Sequence, residues 1–478
     1  MSRRVTRRTF LKGTAALAAG AAAGGTLARG PILLAAGAPP SSKIGVAVIG
    51  CGSQGTGAHL PPAARERLVA IVDADERRWP EGRKFLADKV KDATAGDVKT
   101  YFDYRKMFDE CAKDIDAVFI ATPNHHHFLP AMIAMQLGKG VYVEKPMAHT
   151  VQQCRQMAEA SVKYKVPTQM GNQGHYNEGY ARLCEYIQAG VIGKVTEVHS
   201  WSDRANGGTG PRPPKLAVPA GFHWDEWIGP SPFRDFHSDL HPHEWHGWYD
   251  FGNGSVGNMA CHVMDCAVGG LKLKWPTTIE AEAILGGTDE RYPVGTRVRF
   301  DFPARGDMPP LKLYWWDGRR PGAQKEALGD WATVPQSGQN RPPLVEKLEK
   351  DFNRRLGGNG TIYVGDKGIL YTGTYGGEGI SSMPESTLKE FPAPPKSLPR
   401  PGGGSFGHLV QCVKAKTPVT LSNFEVAAVL TEIVLLTNLA EKAGVGKKVQ
   451  WDGANMKCTN MPELNKLVVQ EYRKGWAV

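Results

Sequence analysis

The sequence predicts two architectures in series: a doubly wound parallel α/β sheet, then an α+β domain built on a large open mixed or antiparallel sheet. Three observations carry this. From Lys43 to about Lys165, short apolar runs alternate with helical stretches, the pattern of a parallel sheet covered on both faces. The run Val46-Ala47-Val48-Ile49 passes directly into Gly50-Cys51-Gly52-Ser53-Gln54-Gly55, a glycine-rich strand-to-helix turn. Beyond Thr168 the segments lengthen and become β-rich.

Residues 1–38 are set aside as an address. Thr6-Arg7-Arg8-Thr9-Phe10-Leu11-Lys12 has the twin-arginine (Tat) export pattern, and Gly13 to Ala28 is weakly apolar and rich in Ala and Gly. Ala36-Gly37-Ala38 offers a small-residue cleavage site. The expectation is a periplasmic protein without stable membrane insertion, because the apolar stretch is short and poor in Leu, Ile and Val. Strands are then expected at 44–49, 68–72, 98–101, 116–121, 140–143 and 166–170. Helices are expected after Gly55 and over 76–92, 104–112, 128–137 and 151–164. In the last, Gln153, Glu159 and Lys163 are expected to face water while Cys154, Met157, Ala158 and Val162 face inward. The first domain is drawn as 43–168. The second, 169–400, is expected to carry strands at 195–200, 278–285, 296–302, 311–316 and 361–371, with a tryptophan-rich, ordered insertion over 203–257. A helical extension over 401–478 is expected to pack on the body, with helices around 406–415 and 423–443.

The formal charge of +10 includes Arg3, Arg4, Arg7, Arg8, Lys12 and Arg29, which precede the cleavage site with no acid among them, leaving about +4. That balance, without a basic stripe interleaved with aromatics, gives no case for a nucleic-acid partner. The 8 cysteines are scattered without a paired spacing and read as buried thiols.

The glycines have a mechanism. The first permits the tight turn, the second lets backbone approach a pyrophosphate, and the third lets helix and strand pack closely, so Gly50, Gly52, Ser53, Gln54 and Gly55 are candidate dinucleotide contacts. Asp73 ends the second strand at the distance expected of a ribose-binding acid, which favours NAD while leaving NADP possible. Arg77 and Arg78 follow and read as solvated charges. The signature Val141-Tyr142-Val143-Glu144-Lys145-Pro146 closes the same domain. Together these features define a Rossmann domain for NAD(P).

Four pieces in order, the glycine turn, Ala121-Thr122-Pro123-Asn124-His125-His126-His127, Glu144-Lys145-Pro146 and Gly257-Asn258-Met259-Ala260-Cys261-His262, resemble the Gfo/Idh/MocA oxidoreductases, the group of glucose-fructose oxidoreductase and inositol dehydrogenase. The export signal and the Trp224-to-Pro230 segment are similar to the exported bacterial branch of that group. The resemblance implies that Thr122, Pro123, Asn124, His127, Glu144 and Lys145 contact the cofactor and that Lys145 and His262 are catalytic. It also implies a homo-oligomer, dimer or tetramer, joined through the second sheet. Many members carry an aspartate where Asn258 stands, and an amide cannot take a proton. Asp265, three residues beyond His262, is placed to orient it.

The three consecutive histidines point in different directions without an acidic or thiol companion, and His241-Pro242-His243-Glu244 lacks the zincin spacing, so no metal is expected. His241, Trp245 and His246 are expected instead to wall a carbohydrate site with Asn172, Gln173, Asn258, Lys145 and His262, since tryptophan faces stack on sugar rings. The expected activity is NAD(P)-dependent hydride transfer at a CH-OH group of a sugar, polyol or related cyclic alcohol, with a cofactor that stays bound and is recycled. Two alternatives stay open: an NAD-dependent glycoside hydrolase or epimerase using transient oxidation and elimination, and a non-catalytic sugar- or nucleotide-binding protein.

Overall fold

The computed structural model describes residues 43–91, 98–318 and 339–476. The twin-arginine segment and its cleavage site lie outside them. Strands β1 (Gly45–Ile49), β2 (Arg67–Val72), β3 (Lys99–Tyr101), β4 (Ala117–Ile120), β5 (Gly140–Glu144) and β6 (Thr168–Gly171) form a parallel sheet in the order β3-β2-β1-β4-β5-β6. Every residue of β1, β4 and β5 is buried, as a sheet covered on both faces requires. The strand order reverses between β1 and β4, which opens a crevice beyond their carboxyl ends. Because β6 belongs to this sheet, the domain runs slightly past the boundary expected at 168.

Helices α1 (Leu60–Arg65), α2 (Arg78–Lys89), α3 (Tyr104–Cys111), α4 (Phe128–Gln136) and α5 (Val151–Tyr164) flank these strands. The helix expected to open after Gly55 opens instead as a π-type turn, Gly55–His59, in which the Leu60 amide reaches the Gly55 carbonyl. Pro61 and Pro62 follow and have no amide to donate to the carbonyls of that turn. In α5 the expected faces are partly exchanged. Val162 is 55% exposed, whereas Gln153 is buried. Gln153 completes a capping box with Thr150, and its amide donates to Gln470 and to the Tyr472 hydroxyl.

The second domain carries β7 (Val195–Ser202), β8 (Thr278–Leu285), β9 (Gly295–Phe302), β10 (Leu311–Gly318), β11 (Gly360–Gly365), β12 (Gly368–Thr372), β13 (Ser381–Met383), β14 (Lys448–Asp452) and β15 (Lys457–Cys458). They form one mixed sheet in the order β13-β12-β11-β7-β10-β9-β8-β14-β15, with β7 and β10 parallel. The single strand expected over 361–371 is a hairpin, turned at Gly365-Asp366-Lys367-Gly368. Helices α6 (Glu178–Gln188), α7 (Trp224–Ile228), α8 (Gly254–Val263), α9 (Asp265–Gly270), α10 (Pro343–Asp351), α11 (Gly404–Ala415) and α12 (Phe424–Ala443) accompany these strands, with a single helical turn at Ser386–Lys389.

The stretch expected as a helical extension is shared between both cores. Leu409, Val410 and Cys412 of α11 pack with Val46, Ile71 and Phe119 of the first sheet, β14 pairs with β8, and α12 lies against both domains. A bidentate ion pair from Arg155 of α5 to Glu432 of α12 spans that seam. The insertion has its own aromatic core of Phe222, Trp224, Trp227, Ile228, Phe236, Leu240, Trp248 and Phe251, so these tryptophans are packing residues. No helix among the described residues is long and apolar enough to cross a membrane.

Candidate active site

The crevice at the β1/β4 switch point continues across the second domain as one cleft of about 1060 Å³. That is at the upper end of single-ligand sites and fits an elongated ligand together with a second one. The glycine turn forms its floor. Gly50 has φ of +94°, and a Cβ there would strike the Ala121 carbonyl; a Cβ on Gly55 would lie 1.9 Å from the Gly50 carbonyl oxygen. Gly52 has open space around its Cβ position, on the cleft wall. The first and third glycines therefore serve folding, and the second leaves room for a ligand. Gly55 is not on the wall, which corrects its expected role as a direct contact.

At one end, Asp73 accepts hydrogen bonds from the Cys51 amide at 2.6 Å and the Asp75 amide at 2.8 Å. Burial raises its pKa against the pull of those bonds. Next to it Asp75, buried, accepts from Arg77 Nε at 2.7 Å and pairs with His241 Nε2 at 3.0 Å. His241 thus belongs to the dinucleotide end and not to the substrate wall on which it was expected. Arg77 is occupied by Asp75, whereas Arg78 lines the cleft.

The insertion closes over this end. The Glu76 amide donates to the Gly221 carbonyl at 2.9 Å, the His223 amide to the Ala74 carbonyl at 2.8 Å, and the His223 ring stacks on Phe102 with centroids 3.8 Å apart. The histidine run explains itself here: His125 Nε2 and His126 Nε2 each lie 2.9 Å from the Trp227 carbonyl of α7. His127 lies between the carbonyls of Pro146 at 2.8 Å and Thr122 at 2.9 Å and, as a neutral ring, donates to one of them. The chain's tail secures the insertion from outside. Arg473 Nε donates to the Gly229 carbonyl at 3.0 Å, its guanidinium pairs with Asp225, and Arg105 stacks over Trp476 at 3.7 Å.

At the other end, the cis Lys145-Pro146 peptide follows β5. Glu144 is buried, and its Oε1 accepts from His59 at 2.9 Å, Gln54 at 3.0 Å and Gln173 at 3.3 Å. Burial opposes its ionisation, yet the His59 bond, the charges of His59 and Lys145, and the Gln54 amide hold its pKa below the usual carboxylate range. Glu144 therefore fastens the glycine turn to the lysine loop. Lys145 Nζ donates to the Asn258 carbonyl at 2.7 Å and to Asn258 Oδ1 at 3.1 Å. Burial lowers its pKa.

His262, on α8, places Nδ1 3.0 Å from Asn172 Oδ1. Asn172 Nδ2 donates to the Cys261 carbonyl at 2.8 Å, which assigns its oxygen as acceptor and so puts the proton of His262 on Nδ1. Burial, with help from the Lys145 charge, brings the His262 pKa to about 3. It is a neutral imidazole whose Nε2 is an acceptor. Asn172 is fully buried behind it, a positioning residue and not the substrate contact expected. Asp265, expected to orient His262, instead pairs with His175 Nδ1 at 2.9 Å.

Gln173, Asn258, Trp245 and His246 line the cleft where they were expected, the last two as a stacked pair with centroids 3.6 Å apart. Thr122, Pro123 and Asn124 line it at the β4 end, where Thr122 Oγ1 is buried without a partner among the described residues. That orphaned hydroxyl and the empty wall over Gly52 are what a bound dinucleotide would fill. Sequence reasoning missed Arg204, Asn206 and Tyr375. Asn206 Oδ1 accepts from Asn258 Nδ2 at 2.9 Å, and Tyr375, 45% exposed, stands edge-on to His262 at 5.0 Å. The glycines flanking Tyr375 were the available signal of a close-packed functional loop.

Comparisons with known proteins agree with this geometry. Residues 44–172 match the GFO_IDH_MocA family model, described as an oxidoreductase family with an NAD-binding Rossmann fold, and 191–289 match its C-terminal alpha/beta domain. The chain is 34% identical over 114 residues to inositol 2-dehydrogenase of Salmonella typhimurium, covering 24% of this chain and 33% of that protein. It is 29% identical over 159 residues to 2,7-anhydro-N-acetylneuraminate hydratase of Mediterraneibacter gnavus, covering 33% and 39%. The aligned parts span only about a third of these curated relatives. The fold is similar to that of aldose-aldose oxidoreductase from Caulobacter crescentus, with TM-score 0.52, 16% identity, 85% of this chain and 99% of the other. Levoglucosan dehydrogenase in complex with NADH gives TM-score 0.51 and 16% identity over 85% and 98%.

Proposed function

We propose an NAD-dependent dehydrogenase acting on a secondary alcohol of a sugar, polyol or related cyclic alcohol, a reading supported by the match of residues 44–172 and 191–289 to the NAD-binding Rossmann and C-terminal alpha/beta models of the Gfo/Idh/MocA oxidoreductases. One observation carries the reading: Lys145 and His262 line the same cleft as the glycine turn and Asp73. The turn at Gly52, Ser53 and Gln54 would hold the pyrophosphate, Asp73 the adenosine ribose, and Thr122, Pro123 and Asn124 the nicotinamide half. When bound, the nicotinamide supplies hydride acceptance and return.

The chain's own residues divide the remaining work. A neutral lysine amine has two N–H bonds and one lone pair. Both N–H bonds of Lys145 are committed to Asn258, to its carbonyl and its Oδ1, which leaves the lone pair for the substrate hydroxyl proton. Burial favours that neutral form. His262, with Nδ1–H held by Asn172, offers Nε2 to accept a hydrogen bond from a substrate hydroxyl. With a pKa of about 3 it orients the alcohol and leaves the proton to Lys145. Tyr375 and Trp245 supply apolar faces for a ring.

The proposal includes export through the twin-arginine segment. An enzyme outside the cytoplasm would meet little free NAD, so a cofactor held through many turnovers suits it, and the insertion and tail folded over the Asp73 end support retention. The proposal includes a homo-oligomer whose subunit contact would use the outer face of the second sheet, where Arg299 bridges Glu280 and Glu282 in a half-buried ladder. Asn258, an amide where many relatives hold an acid, supports a second reading in which oxidation is transient and the net reaction is a redox-neutral glycoside hydrolase or epimerase step.

Denaturing the purified protein and identifying released nucleotide and its redox state, before and after incubation with a sugar and polyol library, separates these. Stoichiometric NAD(H) that changes redox state is expected. Cofactor of unchanged redox state while sugars are cleaved or epimerised would establish the second reading. No nucleotide and no turnover after adding NAD or NADP would leave a binding protein.

A further inference from the structure

We propose that the substrate carries a carboxylate on its sugar or polyol frame and that Arg204 receives it. The inference rests on the oxidoreductase reading of the same cleft and names its substrate class. Arg204 lies on the cleft wall just beyond the end of β7, two residues before Asn206. Asn206 holds Asn258, and Asn258 holds Lys145, so the arginine stands beside the reacting end. Its side chain is 60% exposed, and its nearest acid is Asp203, with Nε 3.8 Å from that carboxylate. Asp203 is off the cleft wall. Among the described residues the two terminal nitrogens of Arg204 meet no acceptor.

The cations facing that end are Lys145 and Arg204, and the one acid on the wall beside them is the buried Glu144. The acids on the cleft wall are Asp73, Glu144 and Glu226. Asp73 is at the closed end, and Glu226 lies on α7 beside Arg105. Glu144 is buried and spends Oε1 on His59, Gln54 and Gln173. The position nearest Lys145 is Asn258, where a carboxylate would repel an anionic ligand. Lys145 can give up its proton, but a guanidinium cannot, so Arg204 is a permanent cation. Its free pair of terminal nitrogens matches the two oxygens of a carboxylate as a bidentate fork. A phosphate would present more charge and more acceptors than one arginine satisfies.

The test uses the holoprotein. Binding of aldonates and uronates, of their neutral parent sugars and of sugar phosphates is followed by tryptophan fluorescence, with nucleotide redox state read in parallel. At least one acid is expected to bind about tenfold or more tightly than its neutral parent. Arg204→Gln should abolish the preference without changing the melting temperature or nucleotide content, and Arg204→Lys should restore part of it. Rising salt should weaken the acid and not the parent. Neutral sugars binding as well as every acid, or a preference that survives Arg204→Gln, would overturn the proposal, and sugar phosphates outbinding the acids would overturn its carboxylate. Oxidation of neutral sugars alone removes this inference and keeps the dehydrogenase. Arg204-dependent acid binding without redox change keeps this inference and removes the dehydrogenase.

Discussion

The two ends of the cleft are built on opposite rules. Around Asp73 the wall is doubled: Gly221 and His223 of the insertion pair with the β2-to-α2 loop, His241 reaches Asp75, and Arg473 fastens α7 from the tail. Around Lys145 the wall is left open, with Arg204 60% and Tyr375 45% exposed. At the closed end Asp73 and Asp75 are held by protein hydrogen bonds, whereas at the open end Nε2 of His262 and the terminal nitrogens of Arg204 have no hydrogen-bond partner among the described residues. The difference is the one expected if the proposed cofactor stays bound while the substrate exchanges.

The largest break of that comparison comes at the open end. Lys145→Ala removes the proposed base, and kcat is expected to fall by about 10²- to 10⁴-fold with little change in bound NAD, measured by single turnover and nucleotide release. Asn258→Asp sharpens the same point through pH. The proposed mechanism needs the neutral amine, so the rate is expected to rise with pH through the Lys145 pKa, which burial has already brought below its ordinary 10.5. A carboxylate in contact with Nζ favours the ammonium and raises that pKa by about 1–3 units. The limb of the kcat/KM profile should therefore move to higher pH, and at a fixed pH below it the rate should drop by about 10- to 1000-fold. An unmoved limb would mean that Lys145 is not the titrating base.

At the closed end the expected effect is on time and not on chemistry. Arg473→Ala deletes the bonds to the Gly229 carbonyl and to Asp225 without touching the cleft. Release of NADH, followed by fluorescence after dilution into competing nucleotide, is expected to quicken about tenfold, as losing a few partly exposed polar contacts allows. kcat at saturating NAD should hold. If release is unchanged, the insertion is scaffolding and the cofactor is retained by the Rossmann domain alone.

What could be read from the chain follows the range of the interactions. The glycine turn, Asp73 and the Glu-Lys-Pro loop were legible because each is a short motif whose chemistry depends on neighbours in sequence. The roles of Asn172 and His241 were not, since each is fixed by a partner far along the chain, His262 and Asp75. Helical period alone placed Val162 inside and Gln153 outside; tail contacts from Gln470 and Tyr472 reversed the second. The hairpin hidden in 361–371 was legible in principle, because Gly365-Asp366-Lys367-Gly368 is a turn sequence within a β-rich run. Arg204 and Asn206 escaped notice because an insertion has no periodicity to single them out.

The smallest expected effect tests whether the floor of the closed end is shaped for a ligand or merely for folding. Gly52 and Gly55 lie three residues apart in one turn, yet a methyl on Gly52 meets no protein atom within 4 Å, while one on Gly55 would lie 1.9 Å from the Gly50 carbonyl oxygen. Gly52→Ala should therefore leave the melting temperature within a few degrees, since loss of glycine freedom in the unfolded chain contributes only about 0.4–1 kcal/mol. It should weaken NAD binding severalfold by standing where the pyrophosphate approaches the backbone. Gly55→Ala should do the reverse in kind, lowering stability first. Equal NAD affinity in Gly52→Ala and the unaltered protein, measured by calorimetry on protein stripped of nucleotide, would show that the open space over this glycine is not the dinucleotide's, and the division of the cleft into a held and an exchanging ligand would lose its floor.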